Sequence, residues 1–282
     1  MVRWEREGIT YEADDKHSAT IVKDLNLEHC KATSTPGDKA TGSSEELDDC
    51  ALLSPERATQ FRSVAARCNY LAADRPDIQF ATKEAARGMA NPNEGDWAKL
   101  KRLAQYLRTV PRMTQWFRWQ ERPREVICFT DSDWAGCKKT RKSTSGGGIH
   151  WGSHLLKSWS RTQTPLATSS GEAELYAAVK GGAELLGMQS LAADMGAIVG
   201  ARLKVDAKAT IGMVHRTGLG KLRHVEVGNL WIQNAVKEGR IHVYKVLGSE
   251  NVADLMTKYL DKATMDGLMA RLPFEINESD EQ

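Results

Sequence analysis

Apolar positions in the first part of the chain recur at helical spacing. Phe61, Val64, Ala65, Cys68 and Leu71 share one stripe of residues 55–74. Trp97, Leu100, Leu103, Ala104 and Leu107 share another between Asn93 and Val110. Asp77-Ile78-Gln79-Phe80 opens a further helix after Pro76, and residues 16–27 read as one more. Residues 2–12 read as two short strands around Gly8. Between these elements, residues 32–56 are rich in Ser, Thr, Gly and acids, with Pro36, the composition of a flexible linker. Residues 1–112 are therefore predicted to be mainly helical.

The pattern then changes. Thr114–Trp119, Val126–Thr130, Ser145–Trp151 and Leu155–Trp159 have the look of strands, the last two joined by the turn Gly152-Ser153. A long helix is predicted from Gly171 to Met195, followed by a strand at 201–205 and a helix from 207. A helix at 225–237, a strand at 241–246 and a helix at 251–260 complete the series. Antiparallel strands, a helix, then alternating strand and helix imply an α/β unit with a mixed sheet covered by helices.

Composition narrows the setting. Hydrophobic residues make up 41% of the 282, enough for a real core. No run approaches the roughly 18 apolar residues of a membrane span, and MVRWEREGIT lacks the apolar core of a signal peptide. The five cysteines form no C-x-x-C pair, which suits a reduced intracellular compartment rather than secretion. Net charge is only +2, but its distribution is uneven. Lys138, Lys139, Arg141 and Lys142 form one basic cluster, and Arg216, Lys221 and Arg223 close another. Such clusters either hold a phosphate backbone or simply solvate a surface.

The acids stand where acids are unusual. Asp131 ends the strand VICFTD and Asp206 ends ARLKVD. Glu174 lies in the first turns of the long helix, and Asp254 in the first turn of the helix after IHVYKV. Taken singly, each is a turn former or complements a helix dipole. Taken together, with the strands at 127 and 203 adjacent, all four reach one edge of the sheet. Four carboxylates in one cleft repel each other without a cation. Mg²⁺ takes such oxygens, and two ions about 4 Å apart activate water and stabilise the leaving oxygen of a phosphodiester. Asp133, two residues past Asp131, shares its face on a continued strand.

Local motifs go further. Asp131-Ser132-Asp133-Trp134-Ala135-Gly136, Arg141-Lys142-Ser143-Thr144-Ser145-Gly146, Ser158-Trp159-Ser160 and Ser169-Ser170-Gly171-Glu172-Ala173-Glu174 resemble the ribonuclease H domain of copia-type retrotransposon polyproteins. So do Val205-Asp206, Arg223-His224-Val225-Glu226 and Glu250-Asn251-Val252-Ala253-Asp254-Leu255-Met256-Thr257-Lys258. Upstream, Cys30 to Pro36, Arg75-Pro76-Asp77-Ile78 and Leu103 to Arg108 resemble the segment after the reverse transcriptase palm of the same polyproteins.

The resemblance implies a ribonuclease H-like five-stranded mixed sheet flanked by helices, preceded by a mainly helical connection region. It implies cleavage of the RNA strand of an RNA–DNA hybrid with two Mg²⁺ ions, Mn²⁺ substituting, held by Asp131, Glu174, Asp206 and Asp254. The parent polyprotein's palm region would be a partner, and polymerase activity is not expected, because no palm motif is present. On this reading residues 1–31 are a thumb or connection remnant, 32–56 the linker and 57–124 the helical connection region. Residues 125–262 are the nuclease domain and 263–282 a C-terminal tail. Two glutamates compete for the ligand's place: Ser169-x-x-Glu172 is a capping box, which gives Glu172 a structural task, and Glu174-Leu175-Tyr176-Ala177-Ala178 resembles the family's segment around its glutamate, so that Glu174 is favoured over Glu172.

There are departures. Ala207 stands where the family has a polar residue, and 247–253 lacks the histidine that many relatives place before the last aspartate. His224 fills a histidine position without an evident task. Two other readings compete: a decayed remnant that only binds nucleic acid, and an integrase on the same fold. The four acids speak against the first, and the absence of an H-x-x-x-H/C-x-x-C pattern against the second. His150 and His154 flank a hairpin turn and are not read as a metal pair, and Gly146-Gly147-Gly148 in a strand predicts a bulge or a close backbone approach.

Overall fold

The computed structural model describes residues 1–38, 50–220 and 224–277. The chain divides into two compact units, Met1–Trp119 together with Lys258–Gln282, and Gln120–Thr257.

In the first unit, β1 (Val2–Glu5) and β2 (Gly8–Glu12) form the hairpin expected around Gly8. The helices are α1 (Lys16–Asp24), α2 (Pro55–Leu71), α3 (Gln79–Ala86) and α4 (Glu94–Thr109). Helix α2 begins where Ser54 accepts from the Arg57 amide with Pro55 in the first turn, and α4 begins at a full capping box between Asn93 and Asp96. Phe61, Val64, Leu71, Leu100, Leu103 and Leu107 are buried, as their spacing requires. Trp97 leaves its stripe half-buried, with the Arg57 guanidinium 4.6 Å from its ring centre. Arg75 is buried and donates to both oxygens of Asp77, at 2.9 and 2.7 Å, while Tyr106 donates to the same carboxylate. A buried charge is tolerable only when paired in this way.

The strand predicted at Thr114–Trp119 is β3 (Arg112–Arg118), and its partners are remote in sequence. It pairs antiparallel with β2 on one side and with β9 (Phe274–Asn277) on the other. Residues 263–282, read only as a tail, thus supply a strand, and helix α8 (Lys262–Met269) precedes it. Of the linker, residues 39–49 lie outside the described residues. Its far end is hydrogen-bonded, with the Leu53 amide on the Pro92 carbonyl and the Glu94 amide on that of Ala51.

The second unit holds β4 (Glu125–Asp133), β5 (Thr144–Trp151), β6 (His154–Thr162), α5 (Ser170–Asp194), β7 (Gly200–Val205), α6 (Lys208–His215), α7 (Trp231–Lys237) and β8 (His242–Lys245). The sheet order is β6-β5-β4-β7-β8. The first three strands are antiparallel, and β4, β7 and β8 are parallel. This is the ribonuclease H-like mixed sheet flanked by helices that the resemblance implies. Val126, Cys128, Leu175, Ala178, Leu185, Leu203 and Ile232 form its core. Helix α5 rides close on β4 at Gly181, where a Cβ would lie 2.3 Å from the Thr130 methyl.

Two predicted helices are shorter than expected. Residues 225–237 resolve into a 3₁₀ turn, Val227–Asn229, and α7. Residues 251–260 hold no α-helix but the 3₁₀ segment Val252–Met256, after another 3₁₀ turn at Gly248–Glu250. Here tertiary bonds win over local propensity: Asn251 caps the segment through Ala253 and donates to the Thr130 carbonyl at 3.0 Å, pinning it to β4. The hairpin at Gly152 (φ +63) keeps His150 and His154 in sheet register, as expected. Of the two alternatives predicted for the triple glycine, the close approach is found within it, and the irregularity of the ladder falls just after it. Register shifts between Ile149 and His150, and Gly146 and Gly147 are closely approached by neighbours. No helix among the described residues is long and apolar enough to cross a membrane.

Candidate metal centre

The parallel register of β4 and β7 puts Phe129 beside Lys204. Carried two residues further, it puts Asp131 beside Asp206 on the same face of the sheet edge. Helix α5 supplies the third acid. Glu174 accepts from both the amide and the hydroxyl of Ser132, at 3.1 and 2.9 Å, which ties the helix start to the end of β4. One oxygen from each of Asp131, Glu174 and Asp206 lies within 4.8 Å of the others. Asp131 is 1% exposed and Glu174 is buried, so solvent screens their repulsion poorly. Three hard oxygen donors converging on one point suit Mg²⁺ or Mn²⁺ and do not suit a soft metal.

Asp254 stands outside this group of three. Its 3₁₀ segment nevertheless reaches Asp131, because Thr257, at the end of that segment, donates its hydroxyl to Asp131 Oδ2. Asp133 is half-buried and also outside the group. Sequence reasoning passed over Ser132, Thr257 and Asn251, although all three stand in the motifs that carried the resemblance.

Glu172 faces elsewhere. It has no exposed surface and accepts from the Thr168 amide and hydroxyl (2.8 and 2.7 Å) and from the Tyr176 hydroxyl (2.7 Å). His224 Nε2 lies 2.9 Å from its Oε2. Burial alone would push this carboxyl up, but the hydrogen bonds from His224, Thr168 and Tyr176 outweigh it and hold the pKa at about 2. The predicted capping box is half made. Ser169 accepts from the Glu172 amide, while the carboxylate reaches Thr168 and not Ser169.

The basic residues divide. Lys138, Lys139 and Arg141 are exposed and Lys142 half-buried in the turn from β4 to β5. Because Asp131 pairs with Gly146 and Asp133 with Thr144, this turn grows from the acidic edge itself. Trp134 starts it, 45% exposed, with its indole N–H on the Ala167 carbonyl at 2.9 Å. Arg216 donates to the Leu219 carbonyl at 2.6 Å and so braces its own turn. Lys221 and Arg223 lie outside the described residues.

No family model matches the chain. Among curated proteins it is 25% identical over 217 residues to the retrovirus-related Pol polyprotein from transposon RE1 of Arabidopsis thaliana, covering 76% of this chain. Against that from transposon TNT 1-94 of Nicotiana tabacum it is 25% identical over 274 residues, 89% of this chain. An uncharacterised mitochondrial protein of Arabidopsis thaliana, AtMg00810, is 32% identical over 171 residues, 60% of this chain and 68% of that protein. The homologues of this chain include Pol polyproteins of copia-type retrotransposons. It spans 15% of the RE1 and 19% of the TNT 1-94 polyprotein. Among solved structures, LC11-RNase H1 isolated from compost aligns with 50% of this chain and 98% of its own, at 16% identity and TM-score 0.34. The N-terminal RNase H domain of a Mycobacterium tuberculosis protein aligns with 52% of this chain and 96% of its own, at 16% identity and TM-score 0.31. The fold of this chain rests on the strand order and register of its own sheet.

Proposed function

We propose that this chain is a metal-dependent endonuclease that hydrolyses the RNA strand of RNA–DNA hybrids inside the cell, beside the palm region of its parent polyprotein. The observation that carries the reading is the meeting of Asp131 on β4, Asp206 just after β7 and Glu174 on α5 within reach of one cation. Bound Mg²⁺ would activate a water and stabilise the leaving oxygen of the phosphodiester. The chain's own part is to hold and orient. Asp131 stands on β4 and Asp206 just past the end of β7, Glu174 is braced by Ser132, and Asp254 waits on the turn that Thr257 joins to Asp131 as the fourth ligand of a two-ion site. The exposed Lys138, Lys139 and Arg141 at the same edge, with Lys142, would grip backbone phosphates, with Arg216, Lys221 and Arg223 as further contacts. Such contacts position a duplex without reading its bases. The choice of hybrid follows from the copia-type resemblance and from the A-like groove that RNA imposes.

The test is a labelled hybrid incubated with the purified chain. RNA fragments that appear with Mg²⁺ and cease with EDTA support the reading. An intact RNA strand at every Mg²⁺ and Mn²⁺ concentration overturns it.

A further inference from the structure

Thr257 is wholly buried, and its hydroxyl has one proton to give and three oxygens in reach. The Ala253 and Asp254 carbonyls lie at 3.5 and 3.4 Å, the back-bonding that a threonine at the end of a helical turn ordinarily makes. Asp131 Oδ2 is much nearer and charged, so the proton goes there. The fold makes room for this contact on purpose-built terms. Asp131's partner across the antiparallel ladder is Gly146, and a Cβ there would lie 2.6 Å from the Thr257 methyl and 2.8 Å from Met256 Cβ. Asn251, wholly buried, clamps the other end of the same segment to the carbonyl of Thr130. The 251–257 segment is therefore fastened to β4 at two consecutive residues, one fastening being the carboxylate itself.

We propose that Thr257 is a positioning residue for the metal centre, an inference that rests on the metal-dependent reading above. Its hydroxyl holds the Asp131 carboxylate in the orientation a cation needs, against the repulsion of Glu174 and Asp206, and holds the Asp254 turn at the acidic edge. A buried carboxylate among like charges swings toward any other donor when unrestrained. Partners that orient a ligand carry a measurable share of metal affinity.

Threonine allows a clean separation of its two halves. Thr257→Val keeps the shape and the methyl beside Gly146 and deletes the hydroxyl. Thr257→Ser keeps the hydroxyl and deletes the methyl. Mn²⁺ binding is measured by calorimetry on the full chain, alongside thermal unfolding without metal. The valine chain is expected to bind Mn²⁺ about tenfold more weakly, and the serine chain within about twofold of the unaltered one. If the valine chain does not fold, Thr257→Ala puts the same question, with the same expected loss. Unchanged binding by the hydroxyl-free chain, or equal weakening by serine, overturns the proposal and assigns Thr257 to packing. An unaltered chain that binds no Mn²⁺ overturns the metal-centre reading itself, a result recognisable before any variant is made.

Discussion

His224 Nε2 lies 2.9 Å from a carboxylate oxygen of Glu172, a side chain with no exposed surface. The pair joins a segment after α6 to the first turn of α5, two residues before Glu174. It explains both a histidine without an evident task and a glutamate that competes on paper with the ligand. On the proposed reading, the two acids of Glu172-Ala173-Glu174 divide their labour, Glu172 holding His224 and Glu174 a cation.

That division is testable by paired amide substitutions. Glu172→Gln turns an amide N–H₂ toward groups that donate, and should cost about 2–3 kcal/mol in urea unfolding while Mn²⁺ binding persists. Glu174→Gln should leave stability within about 1 kcal/mol and abolish Mn²⁺ binding. Calorimetry that shows the reverse assignment moves the ligand to Glu172.

Asp131→Asn removes a charge from the crowded group without changing shape, and an amide oxygen still accepts from Thr257. The metal-free variant should unfold about 1 kcal/mol later than the unaltered chain, since three carboxylates repel there, yet cleave no hybrid. A less stable variant would mean that the acids are already compensated without a cation.

Gly146 and Gly187 should respond oppositely to alanine. At Gly146 the new methyl meets Thr257, Met256 and the Ala253 carbonyl, 3.0 Å or less away. Gly146→Ala should cost about 1–3 kcal/mol and weaken Mn²⁺ binding through the displaced turn. Nothing lies within 4 Å of a Cβ at Gly187 in α5, so Gly187→Ala should stabilise by about 0.5–1 kcal/mol. Equal effects at the two sites would remove the steric argument.

His150 sets an acid-side slope. Burial, and then the nearby Lys204 charge, lower its pKa from 6.5 to about 4. Its Nε2 has no hydrogen-bond partner among the described residues. The folded chain refuses a proton that the unfolded chain accepts, so stability is complete above about pH 6.5 and falls between 6.5 and about 4. The loss is on the order of 3 kcal/mol, with no further fall from this residue below that window. His150→Leu should flatten the slope of unfolding temperature against pH in that window alone. A slope that survives the substitution belongs to other groups.

Neutralising Lys138, Lys139, Arg141 and Lys142 together should raise the apparent KM for hybrid and flatten its dependence on salt, with less effect on turnover. Cleavage with unchanged KM across a salt series would leave this turn only the task of keeping the surface soluble.

Much of this was legible along the chain because it depends on neighbours in sequence. Period and caps marked α2, α4 and α5. Alternation and the turn at Gly152 marked β5 and β6. Acids at the ends of β4 and β7 marked the edge of the sheet, since in parallel strands of equal register the ends lie together. The motif Asp131 to Gly136 marked the family. Long-range pairing was not legible. Nothing in Arg112–Arg118 states that its partners are Gly8–Glu12 and Phe274–Asn277, because a strand's ladder bonds are backbone bonds that any sequence offers. The end of the chain therefore read as a tail. Nor could spacing foresee that Asn251 would bind the Thr130 carbonyl and shorten a predicted helix to one 3₁₀ segment. The residue types and their order determined which acids could form a site. Only the tertiary structure decided that Asp131, Glu174 and Asp206 share one point, that Glu172 spends its charge on His224, and that Thr257 holds Asp131. A hydrogen bond between residues 126 positions apart is set by packing, which no local pattern encodes.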